Sequence, residues 1–414
     1  MKPSVALAQI KRPIAQDSIT AAVREAVSLI GGLSRQAGSR LSGESVIRKG
    51  DTVAIKPNIF CPIPAPTTTD PRVVAALVKL AWEAGAGDVI VAEGRSISTA
   101  KFRKSHNTTR DCAEVVGVTK AVEAAGGRMV YLEDDEFVEV DVPGGVVLKK
   151  ARVPRTILDV DVLINAPVLK IHSLTYVTLG IKNLHGLISD EDKLFGHSYR
   201  ELPAKLTDFL RIRKPDLTVI DGVVGQECDH AEEGRPVEMG LIIAGKDIVA
   251  VDAVTSAVIG FEPFEIDTTR LAHEYGLGVG KLEDIEVLGE RIEDMRRPFA
   301  RPEIAVDTEL FPGLRVIAGD FCRSCEYYTR RGLDKLLESG FFDGSNELTV
   351  IIGKEPPVPD KVEGKVIMLG DCCLASDSVR RLRDYLLLEG RLQAEYACPP
   401  MRFRIRSKDM VGNG

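Results

Sequence analysis

The feature that most constrains this chain is an alternation. Short runs of β-branched residues recur between windows in which apolar residues keep helical spacing. Val53-Ala54-Ile55 reads as a strand. Thr67-Thr68-Thr69-Asp70-Pro71 reads as a helix start, with an Asp or Thr cap and Pro at the first helical position. Val74, Leu77, Val78 and Ala81 then share one helical face, and Gly85-Ala86-Gly87 closes the window. Asp88-Val89-Ile90-Val91 is the next strand, ended by Glu93-Gly94. A strand, a helix and a strand in that order predict a right-handed parallel crossover.

The pattern continues. The sequence predicts a helix over 113–125, a strand over 128–132 and a hairpin over 138–150 turning at Pro143-Gly144-Gly145. Further strands are expected at Asp161 to Ile164, at Leu217 to Ile220 ending in Asp221-Gly222, and at Met239 to Ala244. A helix follows from about Ile248 to Ile259. Residues 1–300 therefore read as a large α/β domain, a doubly wound and mostly parallel sheet whose ligands gather beyond the carboxyl ends of the strands. A boundary is expected between Arg296 and Pro302. Residues 301–414 then read as a smaller α/β domain that carries cysteines, with strands at 314–318, 348–352 and 366–369 and helices at 323–338 and 376–388. Met401 to Gly414 reads as a frayed tail.

Composition narrows the function classes. Of 414 residues, 44% are hydrophobic and 28% charged, which is the balance of an ordinary globular chain. A net charge of −7 gives no global electrostatic case for nucleic acid. The most apolar stretch, Leu241 to Phe261, contains Lys246, Asp247 and Asp252, which argues against a membrane span. The start of the chain shows no secretory signal, so a cytoplasmic protein is expected. Dinucleotide, P-loop, nucleophile-elbow and zinc-protease motifs are absent.

Strand ends carry the candidate site. Lys56 and Asn58, Thr69 at the helix start, Glu93, and Asp221 each close a strand or open a helix. The densest polar run follows Asn165 and contains Lys170, His172, Lys182, Asn183 and His185, with His197 beyond it. Ammonium and imidazole groups beside glycine-rich turns suit a small anion such as a carboxylate or phosphate. Lys56, Asn58, Thr69, Glu93, Lys170, Asn183 and Asp221 are the expected binding residues, and His172, His197 and Lys182 the expected catalytic ones. Asp252 is expected to support them. Cys228 and His230 would share a loop after Asp221 as a candidate second metal site, although an ordinary loop is the commoner reading.

Five of the 8 cysteines fall in the last hundred residues: Cys322, Cys325, Cys372, Cys373 and Cys398. The first two form a C-x-x-C after one predicted strand, the next two follow Gly370-Asp371 after another, and Cys398 precedes Pro399. Parallel strands would deliver the first two groups to one sheet edge. Thiolates gathered in this way suit a [4Fe–4S] cluster, which needs four of them. A structural Zn site and a set of unrelated buried thiols are the competing readings. Four ligands suffice, so Cys372 or Cys373 is spare, and the Gly-x-Cys phrasing favours Cys372. Cys61, Cys112 and Cys228 are isolated and read by default as buried thiols.

Several of these pieces together resemble a known family. They are Lys56-Pro57-Asn58, Thr67 to Pro71, Glu93-Gly94, Asn165-Ala166-Pro167 with Lys170 and His172, Gly180 to Leu184, His197, Asp221-Gly222 and Ala250-Val251-Asp252-Ala253. In order and spacing they look like the domain-of-unknown-function 362 family (DUF362), over roughly residues 50–280. The resemblance implies iron–sulfur association, often through a ferredoxin-like extension, from which the C-terminal cysteines here differ. It implies no settled reaction. The expectation is an intracellular iron–sulfur protein that carries electrons or assists chemistry on a small anionic substrate, with a redox protein as partner. The alternative is a zinc-stapled binding or scaffold protein without catalysis.

Overall fold

The alternation in the sequence becomes two separate sheets. In a computed structural model the described residues are 2–33, 46–96, 108–197, 200–229, 234–396, 398–400 and 403. One unit comprises Met1–Gly196 with Pro203–Pro302, the other His197–Leu202 with Glu303–Gly414.

The first unit holds β1 (Ser4–Gln9), β2 (Thr52–Lys56), β3 (Asp88–Glu93), β4 (Arg128–Tyr131), β5 (Phe137–Asp141), β6 (Lys150–Pro154), β7 (Val162–Asn165), β8 (Val168–His172), β9 (Tyr176–Thr178), β10 (Leu217–Glu227), β11 (Arg235–Gly245) and β12 (Glu286–Gly289). The main sheet runs β12-β1-β11-β10-β7-β2-β3-β4, with β8 beside β10 and β9 beside β8. Its β2, β3, β4, β7 and β10 are mutually parallel neighbours. Strand β11 runs antiparallel to both β1 and β10.

Alternate residues face alternate cores, as strand geometry requires. Val53, Ile55, Val89 and Val91 pack with the helices Gln16–Leu29 and Pro71–Glu83. On the other face Val5, Leu7, Ile220 and Ile243 pack with the helix Ile248–Val258. The Pro71–Glu83 helix starts as its sequence demands, with Pro at its first position and the Asp70 carboxylate accepting from Arg72 N at 2.8 Å.

Three local expectations change. The helix expected over 113–125 is two helices, Thr109–Val115 and Val118–Ala124, because Gly117 between them takes φ +81°. The hairpin pairs Phe137 with Pro154 through Asp141 with Lys150, so its second strand begins where the sequence expectation ended. Strand β10 runs well past Ile220. Its first residues pair with β7 and its later ones with β8, so Asp221-Gly222 lies inside a strand rather than at its end. Among the described residues no helix is long and apolar enough to cross a membrane.

The second unit has a parallel sheet of β13 (Leu314–Ala318), β14 (Leu348–Ile352), β15 (Lys365–Leu369) and β16 (Leu392–Glu395), in that order. Val350, Ile352, Ile367 and Leu369 pack on one face with Leu333 and Leu336 of the helix Arg323–Glu338. Ile351, Val366 and Met368 pack on the other with Leu382 and Leu386 of the helix Arg380–Leu388. The expected helix over 376–388 is shorter, since a single 3-10 turn, Asp377–Val379, precedes it. Strand β16 was not expected; its Leu-Gln-Ala-Glu run has little β character.

A buried carboxylate fixes the connection between β5 and β6. Asp208 accepts from Val146 N at 2.7 Å, Val147 N at 2.8 Å and Leu148 N at 2.8 Å, and is fully buried. Removing it leaves three donors of this loop without their acceptor. Asp208→Ala is expected to lower stability by about 3 kcal/mol. Urea unfolding would show a lower midpoint at unchanged slope.

Candidate functional site

The first unit gathers its polar residues where β2, β3 and β7 end. Lys56, the last residue of β2, pairs with Glu93, the last residue of β3, at 2.7 Å, and both side chains are almost fully buried. Parallel pairing of β2 with β3 and with β7 sets these ends side by side, Lys56 opposite Asn165. Glu93 is held further by Ile59 N at 2.8 Å and Gly94 N at 2.9 Å. Asn183 completes the frame. Its Oδ1 accepts from Lys56 Nζ at 3.3 Å and Asn58 Nδ2 at 3.0 Å, while its Nδ2 donates to Asn165 Oδ1 at 2.8 Å. Gly186 comes so close that a Cβ there would lie 2.8 Å from Glu93 Oε1 and 2.9 Å from Lys56 Cε, which only glycine avoids.

Lys170 joins this frame from β8. Its ammonium donates to Asn58 Oδ1 at 2.7 Å and Thr67 O at 2.6 Å, and lies 4.2 Å over the Phe60 ring. Burial pushes Lys170 down to about 7, and the charge of Lys182 adds to the effect. Desolvation of its ammonium pushes the half-buried Lys182 down to about 8. Lys182 sits on the short helix Gly180–Asn183. Burial also lowers Lys56, opposed by the charge of Glu93.

Two carboxyl groups brace the network. Asp221 accepts from Asp70 N at 2.7 Å and Val223 N at 3.0 Å, and burial, reinforced by the nearby Asp70 charge, raises it to about 7. Asp252 reaches across from the Ile248–Val258 helix to accept from Gly180 N at 2.7 Å and Ile181 N at 3.0 Å; burial raises it to about 7. Asp247 caps that helix, accepting from Val249 N at 2.9 Å. Thr69 Oγ1 donates to Ala166 O and accepts from Asn58 N, both at 2.8 Å. His172, at the end of β8, accepts on Nδ1 from Leu174 N at 3.1 Å and Thr175 N at 3.4 Å.

The structure therefore brings together Lys56, Asn58, Thr69, Glu93, Lys170 and Asn183, and sets Asp221 against the start of the Pro71–Glu83 helix. His197 belongs to the second unit. Sequence reasoning missed Gln226, whose Nε2 donates to Thr67 Oγ1 at 3.0 Å. It lies in the unexpected half of β10, opposite Lys170, and only that pairing reveals it. His230 lies outside the described residues. Cys228 takes φ +67° in its loop, and Cys112 is buried.

In the second unit three cysteine groups follow the ends of parallel strands: Cys322 after β13, Cys372 after β15 and Cys398 after β16. They therefore belong to one edge of the sheet. Hydrogen bonding with the neighbouring sulfurs of Cys322 and Cys372 holds the Cys325 proton and raises it strongly. The bond from Cys325 lowers Cys322 to about 5, aided by the backbone N–H groups of Cys325 and Ser324 at the start of the Arg323–Glu338 helix and by the Arg200 charge. Cys372 falls to about 7, first through Cys325 and then through Cys373 N and Arg200. Arg200 is anchored by Asp320 at 2.6 Å. Cys398 is exposed as a residue, yet desolvation at its sulfur, with the nearby charges of Cys322 and Cys372, lifts it to about 11. Cys373 is different. It is fully buried, bonds Ile351 O at 3.5 Å and is raised to about 12 by that burial. Among the described residues no three or more His, Cys, Asp or Glu side chains are arranged to enclose a single metal ion.

The family described as Domain of unknown function (DUF362) matches residues 53–257. A thylakoid-associated protein, sll1697, of Synechocystis sp. is 28% identical over 277 residues, which is 61% of this chain and 80% of that protein. A Thermotoga maritima protein known by its crystal structure covers 82% of this chain and 71% of its own length, at 14% identity and TM-score 0.37. The lactate racemase apoprotein of Thermoanaerobacterium thermosaccharolyticum covers 99% of this chain and 82% of its own, at 11% identity and TM-score 0.39.

Two outcomes are expected. Lys56→Met strands Glu93 as a buried unpaired charge and should cost about 3–5 kcal/mol in urea unfolding. The double variant Lys56→Met/Glu93→Gln should lose less than Lys56→Met alone. The second outcome concerns pH. The folded-state value of Asp252 lies above its unfolded value, so its stabilising effect is present below about pH 4 and is lost as pH rises through about 7. The stability of the wild type relative to Asp252→Asn should therefore fall between about pH 5 and about pH 8. Paired urea titrations at both values check it.

Proposed function

Because residues 53–257 of this chain belong to the DUF362 family, whose description names no activity, its function must be argued from its own residues, and we propose an iron–sulfur protein. In this reading Cys322, Cys325, Cys372 and Cys398 hold a [4Fe–4S] cluster, and Cys373 is a core thiol. The observation that carries it is the placement of Cys322, Cys325, Cys372 and Cys398 after the ends of parallel strands, at one edge of the sheet. Three separate loop or helix starts supply these sulfurs, and backbone N–H groups and Arg200 favour the thiolate form at Cys322. Thiolate is the form that binds iron, and hydrogen bonds to sulfur tune such a centre. When bound, the cluster supplies one-electron transfer.

The rest of the reading follows from charge. The protein serves electron transfer or cluster-assisted chemistry on a small anionic molecule, which the lysines of the first unit receive, with His172 as the proton-moving group. A net charge of −7 suits a basic redox partner protein. Thiolates of this kind stay reduced in the cytoplasm, where the reading places the protein. The competing assignment is structural zinc on the same thiolates, in a scaffold without turnover.

Anaerobic purification separates the two. The expected product is brown and carries about four iron and four sulfide per chain. Cys372→Ala should lose both, while Cys373→Ala should keep both. A colourless, folded protein that holds zinc and no sulfide overturns the proposal.

A further inference from the structure

One arginine of the second unit comes from far away in the chain. The segment His197–Leu202 folds with the cysteine-bearing sheet, although the residues on both sides of it belong to the first unit. Arg200 ties it down. Its Nη2 donates to the Asp320 carboxylate at 2.6 Å and to the Asp320 carbonyl at 3.2 Å.

Asp320 is a fixed seat for that guanidinium. It follows β13, and its N–H donates to Lys354 O at 2.9 Å while its carbonyl accepts from Lys354 N at 2.8 Å. Gly319 N bonds Ile352 O at 2.9 Å. A Cβ on Gly319 would lie 2.1 Å from Lys354 O, so the approach needs glycine. The turn out of β13 is thus stitched to the end of β14, and Cys322 stands two residues beyond Asp320.

The pair itself is exposed, 52% at Arg200 and 69% at Asp320. An exposed ion pair contributes little stability. What it supplies is position: one positive charge held at the edge where the sulfurs stand. Cys322 and Cys372 both feel that charge, which favours their anions. Resting on the proposal that these thiolates hold a cluster, we infer that Arg200, seated on Asp320, is a positioning residue that raises the reduction potential of that cluster. The electron comes from a one-electron donor, the redox partner protein. Its uptake adds one negative charge to a centre that four thiolates already make anionic, and a fixed cation favours the reduced form.

Redox titration of the anaerobically purified full chain with dithionite, followed by the paramagnetic signal of the reduced cluster, tests this. Arg200→Met should keep the wild-type iron and sulfide and show a more negative midpoint. Arg200→Lys retains the charge and should restore most of the shift. A full cluster in Arg200→Met with an unmoved or more positive midpoint overturns the inference and leaves the cluster standing. So does a negative shift that Arg200→Lys fails to reverse, which is the mark of a structural staple. If Arg200→Met loses its iron, the lysine variant decides: iron kept at a midpoint near that of the wild type supports the inference, and iron lost or a lowered midpoint overturns it. A wild-type chain without iron overturns both the cluster and this role for Arg200.

Discussion

The buried pair of Lys56 and Glu93 organises the first unit. Neither charge has access to water, and each is satisfied only because two parallel strands end at the same level. The pair is worth little as net stabilisation, since desolvation of both ions offsets most of their attraction. Its value lies in what it forbids. Any shift of β2 against β3 would strand a charge, so register, the approach of Gly186 and the position of Asn183 are all tied to it. Asn183 then carries the constraint to Asn58 and Asn165, and Asn58 carries it to Lys170. Asp252 holds the helix that bears Asn183 and Lys182 by its first N–H groups.

The second unit works through a different constraint. Parallel strands covered on both faces send their connecting loops to one edge, and three of those loops bear cysteine. The start of the Arg323–Glu338 helix offers N–H donors to Cys322, and Arg200 adds a positive charge fixed by Asp320. Such surroundings favour the anion at Cys322 and Cys372. Cys373 shows the same edge from below: one residue further on, the side chain turns into the core and is held neutral.

Much of this was legible in the sequence, and the failures have causes. The Asp70-Pro71 helix start and the strands at 53–55, 88–91 and 161–164 are set by local propensity and spacing, which survive folding. Gly117 was overlooked because a lone glycine inside a helical pattern does not announce φ +81°. Strand β10 was cut short because its second half alternates poorly, and its length comes from pairing with β8.

By itself the sequence determined the doubly wound α/β class, the second parallel sheet with cysteines after its strands, and the strand-end places of Lys56 and Glu93. Periodicity and turn chemistry are local, and parallel connection leaves little choice of topology. Tertiary structure alone decided which of the polar residues form ion pairs. Lys56, Lys170 and Lys182 are alike in the sequence. Only one of them lands beside a carboxylate, because charge pairing depends on strand register and on approach through space, neither of which sequence spacing encodes.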